Sequence, residues 1–259
     1  MNDRTFMAVL GVILVAAIGA FVAFGGNSST GNAFVGDPFE LATGEASAEG
    51  EAVQRADHVI GPVDAKVTLI EYGDFACPAC QAVFPQLKAL EGEFAEDLRI
   101  IFRHNPLTQI HPNAFAAHRA AVAADNQGMF WEMHDLMYER QREWAASTSG
   151  FTVSQAADAF ESYAEELGLD LEQFRSDVES DETFNFIDSH LDSGANLGVT
   201  GTPTLFLNGE EIAQRSFEEL SVLVREILSE DQPAEGESAE STESTEATEA
   251  DGSEEATEN

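Results

Sequence analysis

The sequence predicts a mixed α/β fold: one sheet with helices on both faces, interrupted by an inserted helical subdomain. Three observations predict it. Two short β-rich runs, 66–72 and 98–104, flank a helical pattern; some eighty residues of helical pattern follow; a strand pair and one amphipathic helix then close the folded part at 202–228.

"KVTLIEY", residues 66–72, is apolar and β-branched and reads as a buried strand. From Pro78 the chain reads as a helix, because proline fits the first helical position and Val83, Leu87 and Leu90 recur at helical spacing. Pro85, inside that pattern, predicts a kink. "LRIIFRH", 98–104, is a second strand, and a strand–helix–strand unit makes the pair parallel with a right-handed crossover.

The helical block starts with Pro112–Asp125 and Met129–Trp144, separated by "NQG", where Gly128 suits the break. Thr152 with Gln155, and Asp170 with Gln173, have the spacing of helix caps ahead of helices near 154–167 and 171–179. A helix at about 182–196 has Phe184, Ile187 and Leu191 on one face and ends near Gly198. "TPTLFLNGEEIA", 202–213, then reads as strand, Asn208-Gly209 turn and strand. Behind the Ser216 and Glu219 capping pair, Leu220, Leu223, Val224, Ile227 and Leu228 form one apolar face.

Both ends read differently. Residues 6–24 have no charged or strongly polar side chain over 19 positions, and such a helix reaches about 28 Å against a hydrocarbon core of roughly 30 Å. Residues 1–25 are therefore either a transmembrane anchor or a signal peptide, with Ala23 and Gly25 at plausible cleavage positions. Residues 26–56 are a flexible linker, 57–228 the folded domain with its helical insertion at about 106–196, and 229–259 a disordered acidic tail with twelve acids and no Lys or Arg. Asn27-Ser28-Ser29 fits a glycosylation acceptor, although unmodified linker is the safer reading. The expected location is the cell membrane, single-pass with the domain outside the cytoplasm, or else secretion after cleavage.

Charge excludes one class of partner. The net charge is −36, and residues 57–228 alone hold 30 acids against 10 bases, about −20. Such a surface repels phosphates, so nucleic acid is not expected as a partner. The composition resembles that of salt-loving microbes, where the Debye length falls to roughly 3 Å at 1 M; an ordinary acidic secreted protein is the alternative.

Cys77 and Cys80 are the chain's two cysteines. As a staple they would close a ring worth about 2 kcal/mol, against about 4.7 for a hundred-residue loop. As a zinc site they would need two more ligands, but His104, His111 and His118 are spaced by seven rather than three to five. The histidines are expected at the surface or core edge, with His104 a weak site candidate because it ends a strand. No metal or cofactor is expected. As a redox pair, Cys77 would face the free N–H groups of a helix start, which lowers a thiol pKa from about 8.5 to roughly 3.5–7.5. Cys77 is then the attacking and leaving sulfur, and Cys80, one turn on, resolves. Glu71 shares strand parity with Val67 and Leu69, so burial would raise its pKa.

A strand, a CPxC at a helix start, a proline eight residues after the first cysteine and a distant "TPT" before a hairpin resemble the thioredoxin fold. With the helical block, "EYGDFACPAC" and "GTPTLFLNG", residues 57–228 resemble the DsbA-like family of extracytoplasmic thiol:disulfide oxidoreductases. The resemblance implies that Cys77 and Cys80, with Pro78 and Ala79 between them, are the redox centre. It implies that Thr202-Pro203 is a cis-proline loop where an extended substrate pairs with the backbone, and that Glu71 stands where such proteins place a buried acid; there it is expected to help move the proton of Cys80, with a strand-end Glu reaching solvent as the alternative. It also implies cysteine-containing exported proteins as clients and a membrane-embedded, quinone-linked reoxidant.

Export favours a disulfide-introducing oxidase. Ala79 departs from the histidine that strongly oxidising relatives have there, so a reductase or isomerase stays open. So does a client-binding module in which Phe130, Trp131, Met133 and Met137 form a hydrophobic groove and redox is secondary.

Overall fold

The computed structural model describes residues 57–146 and 150–230. The expected anchor at 6–24, the linker and the acidic tail beyond residue 230 lie outside them. Among the described residues, no helix is long and apolar enough to cross a membrane.

The elements are β1 (His58–Ile60), β2 (Val67–Gly73), α1 (Pro78–Glu93), β3 (Leu98–His104), α2 (Ala114–Asp125), α3 (Phe130–Glu139), α4 (Gln141–Trp144), α5 (Val153–Glu166), α6 (Leu171–Glu179), α7 (Asp181–Asn196), β4 (Thr204–Leu207), β5 (Glu210–Ile212) and α8 (Phe217–Glu230). The described strands form a sheet ordered β1-β3-β2-β4-β5. β2 and β3 are parallel, from Val67 opposite Leu98 to Gly73 opposite His104. β4 is antiparallel to β2, with Glu71 opposite Leu205, and β5 is antiparallel to β4.

Alternation along the strands divides the core. Val67, Leu69, Leu98, Ile100, Leu205 and Leu207 pack with Val83, Leu87 and Leu90 of α1 and Leu220 and Val224 of α8. Ile70, Tyr72, Ile101 and Phe206 form the other face, covered partly by Leu197 and Val199. The expected face of α8 is the one it buries. α1 continues through Pro85, which lies on its exposed side. In the helical insertion, α2 buries Ala114, Ala117, Ala120, Ala121, Ala123 and Ala124. Such small side chains allow neighbouring helices to approach closely.

Several expectations are corrected. β1 was not foreseen, since three residues carry no readable period; it pairs antiparallel with β3, His58 opposite Phe102. The helix expected at 129–144 breaks at Arg140. α7 buries Ile187 as expected but turns Phe184 outward, 45% exposed, and buries Thr183, Phe186, His190, Ser193 and Gly194 beside Ile187. The reason is polar and steric. The Ser193 hydroxyl lies 2.6 Å from the Tyr72 hydroxyl, and a Cβ on Gly194 would stand 3.1 Å from the Tyr72 ring.

The histidines are not at the surface: His58, His104, His111, His118, His134 and His190 are all at most 8% exposed. His104 shares hydrogen bonds with His58 (2.9 Å) and His118 (2.7 Å), and its backbone N–H donates to His190 Nδ1 at 3.1 Å. Each ring has at least one polar partner, on another element except for His134, whose Nδ1 meets its neighbour Asp135 at 2.9 Å, which is why burial is tolerated. Close by, fully buried Arg103 donates to both carboxylate oxygens of Asp57, at 3.2 and 2.9 Å. Burial alone would raise the Asp57 pKa, but hydrogen bonds from His190 and Arg103 outweigh it and hold the carboxyl well below its usual range.

Candidate active site

Both cysteines sit where β2 gives way to α1. Cys77 occupies the N-cap position with extended backbone angles (φ −78°, ψ 123°), and Pro78 starts the helix. Asp74 closes the turn before it: its carbonyl accepts from the Cys77 N–H at 3.0 Å, and its side chain accepts from the Ala76 N–H at 2.8 Å. Gln141 of α4 donates to the carbonyls of Phe75 (2.8 Å) and Cys77 (3.0 Å). The insertion thus fixes the loop that presents the sulfur.

The two thiols are reduced and unequal. Cys77 is 7% exposed and Cys80 0%. The Cys77 pKa falls to about 5, chiefly because the Cys80 thiol donates to it; burial opposes this, and Thr202 and the N–H groups of Cys80 and Ala79 add to it. Burial pushes Cys80 well above the usual thiol value, and the Asp74 N–H lies 3.5 Å from its sulfur. The sequence pointed to the helix start as the cause of the lowered pKa. The larger cause is the partner thiol.

Thr202-Pro203 carries a cis peptide bond, and the Thr202 carbonyl lies 3.5 Å from the Cys77 sulfur. The Thr202 hydroxyl has no other partner among the described residues and is placed to donate to a thiolate at Cys77. Glu71, 3% exposed, stands opposite Leu205, one pair in from the Tyr72–Thr204 end of the β2–β4 ladder. Burial pushes its pKa up to about 8, the charge of Arg215 opposes this, and that of Cys77 reinforces it. Its Oε1 has no hydrogen-bond partner among the described residues. It lines a cavity of about 20 Å³ that also meets Lys88 and Glu91 of α1.

The remaining candidates separate from the site. Phe130, Met133 and Met137 are at most 3% exposed and belong to the core of the insertion, with Trp131 packed against them. They make no open groove: they are helix core, packed with the alanines of α2 and with Phe75 and Phe102. No group of His, Cys, Asp or Glu that could hold a metal occurs among the described residues. Sequence reasoning missed Asp74, His111 and Gln141. His111 Nδ1 lies 2.7 Å from Asp74 Oδ2, and the available signal was Asp74 inside the quoted motif, three residues before Cys77.

A thiolate-stabilised cysteine at a helix start, a buried resolving thiol and a cis-proline loop against the first sulfur define a thiol–disulfide oxidoreductase of thioredoxin type. The family model described as "Thioredoxin" matches residues 54–226, and the chain belongs to that family, with a helical block between β3 and β4. Among solved structures, the chain is similar to a thioredoxin-like oxidoreductase from Silicibacter pomeroyi (24% identity, TM-score 0.55, covering 67% of this chain and 92% of that one). It is also similar to BdbD from Bacillus subtilis (18%, 0.57, 73% and 99%) and DsbA2 from Pseudomonas aeruginosa (24%, 0.55, 68% and 97%). At these identities the likeness is one of fold.

Curated relatives include Na(+)/H(+) antiporter NhaA 1 of Salinispora arenicola, 42% identical over 59% of this chain and 22% of the relative. The protein of the same name from Mycolicibacterium gilvum is 39% identical over 60% and 24%. The chain spans under a quarter of the length of these relatives.

Proposed function

We propose that the protein is an extracytoplasmic oxidase that introduces disulfides into exported proteins through the Cys77–Cys80 pair. The observation that carries this reading is the Cys77 thiol lowered to about 5 beside a Cys80 thiol raised above its usual value. A stabilised thiolate favours the reduced form and so makes the disulfide a stronger oxidant.

A client thiolate attacks the Cys77 sulfur of the disulfide, forming a mixed disulfide and expelling Cys80. Glu71, protonated below about pH 8, supplies the proton that the departing Cys80 sulfur takes up. The client's second thiolate then attacks its own sulfur in the mixed disulfide, and Cys77 leaves as a stable thiolate. The client loses two electrons and two protons; the pair gains the electrons. Glu71 regains its proton through the adjoining cavity of about 20 Å³, large enough for one water. Thr202 and Pro203 receive the client backbone beside Cys77.

Residues 6–24 would anchor the enzyme in the membrane with the domain outside, and a membrane-embedded, quinone-linked partner would reoxidise it. Support comes from the apolar run and from the match to part of proteins named as ion antiporters. The test is the equilibrium potential against glutathione in high salt. A value above about −180 mV is expected; one below about −250 mV would make the protein a reductase.

A further inference from the structure

The segment between β3 and α2 is laced to the turn before Cys77. The Asn105 N–H donates to the Gly73 carbonyl at 2.9 Å and the Leu107 N–H to Asp74 Oδ2 at 3.0 Å, while the His111 N–H turns back onto the Leu107 carbonyl at 2.9 Å. This lacing carries His111 to the rim of the cysteine pair, where its ring meets Asp74 Oδ2 at 2.7 Å and its side chain is 9% exposed. Asp74 is fully buried and also faces His118 Nε2 at 3.8 Å. Its carboxylate therefore cannot swing away from His111, and its backbone touches both cysteines.

The electrical setting is one-sided. Asp74 and a Cys77 thiolate are negative groups within one small volume, joined by Glu71 only as it ionises around pH 8, and Tyr138 is kept neutral there chiefly by burial, with the nearby thiols and carboxyls adding to it. Arg215 acts on Glu71, and His118 loses its proton readily because it is buried. His111 differs: its bond to Asp74 raises its pKa against burial, and the Cys77 charge raises it further. Coulombic coupling is reciprocal, so whatever the thiolate does for the imidazolium, the imidazolium does for the thiolate.

We propose that His111, clamped on Asp74 at the rim of the cysteine pair, is a potential-setting residue whose imidazolium stabilises the Cys77 thiolate and strengthens the disulfide as an oxidant. This rests on the reading of Cys77 as a reactive thiolate. The half-reaction is a disulfide taking two electrons and two protons; His111 acts on the anion that remains when Cys77 gives one of those protons to solvent.

The full chain is titrated by the ultraviolet absorbance of its thiolate and equilibrated with glutathione, as wild type, His111→Gln and His111→Lys. His111→Gln raises the Cys77 pKa by about one unit. It moves the glutathione equilibrium about tenfold toward the disulfide, which is about 30 mV more negative. His111→Lys stays close to wild type. If Gln leaves both values unchanged, or if Lys moves them as far as Gln, the proposal is overturned. A wild type with no thiolate transition near pH 5 would overturn the thiolate reading and this inference together.

A second measurement needs no variant to be active: the His111 ring is titrated by NMR in wild-type protein, its signal assigned by its loss in His111→Gln. Its pKa is expected to fall by about one unit when the Cys77–Cys80 disulfide forms and the thiolate disappears. No change between the two redox states overturns the proposal.

Discussion

The Thr202 carbonyl lies 3.5 Å from the Cys77 sulfur, although 125 residues separate them. The helical insertion occupies most of that interval, so β4 has to return beside β2 before the site exists. Exchange chemistry therefore depends on the completed sheet, not on the CxxC segment alone.

Cys80→Ser keeps the attacking sulfur and removes the resolving one. Treated with a mixed disulfide such as glutathione disulfide, this variant is expected to hold one adduct at Cys77 per chain, read by intact mass. Wild type releases it. A Cys80→Ser protein that takes up no adduct would assign the reactivity elsewhere.

Glu71→Gln should slow the step that expels Cys80 by roughly 10²-fold, within the usual range for a lost general acid. Wild-type turnover is expected to decline as pH rises through about 8, where Glu71 loses its proton. The variant should lack that limb. Stability falls in the same direction: the carboxyl ionises near 4.5 when unfolded and near 8 when folded, so its burial costs nothing below 4.5 and progressively more as pH rises to 8. Denaturant titration at pH 4 and pH 8 should show the variant gaining on the order of 2–4 kcal/mol over wild type between those conditions.

Asp57→Ala leaves Arg103 buried without its carboxylate, and breaking such a pair costs about 3–5 kcal/mol. For a domain of this size that lowers Tm by roughly 10 °C. Asp57 has a depressed pKa, so its contribution is present above the unfolded carboxylate value and lost as pH falls through the folded one. Scanning calorimetry should show the difference between the variant and wild type narrowing only in strong acid.

A folded part carrying 30 acids against 10 bases repels itself. Adding sodium chloride from 0.1 to 1 M, which shortens the Debye length from about 10 to about 3 Å, is expected to raise Tm. A flat or falling Tm would remove the case for adaptation to high salt.

Strands β2 and β3, the α8 face and the two capped helices α5 and α6 were legible because each is a local pattern of period or spacing. Thr152 and Gln155 do form the reciprocal capping box, and Asp170 accepts from the Gln173 N–H. The cysteine pair was legible because its motif is contiguous. Asp74 with His111 was not, since their bond spans 37 residues and a spacing rule made for metal ligands sees only intervals of seven. The histidines were misjudged for the same reason: except for His134, which meets its neighbour Asp135, each ring has its partner on another element. α7 was misread in part: Ile187 is buried as expected, but most of the rest of its buried face is Thr183, His190, Ser193 and Gly194, which carry no apolar signal.

The outer strands bear on how the sheet meets other polypeptides. β1 is three residues long and has the Trp131 indole donating to the Val59 carbonyl at 3.1 Å, while β5 presents exposed Glu210 and Glu211. Short, capped or charged margins discourage an incoming chain from adding itself as another strand. If the protein acts on unfolded polypeptides as proposed, neither margin of the sheet invites strand addition, and contact with an aggregation-prone chain would be confined to transient covalent exchange at Cys77 instead of permanent attachment.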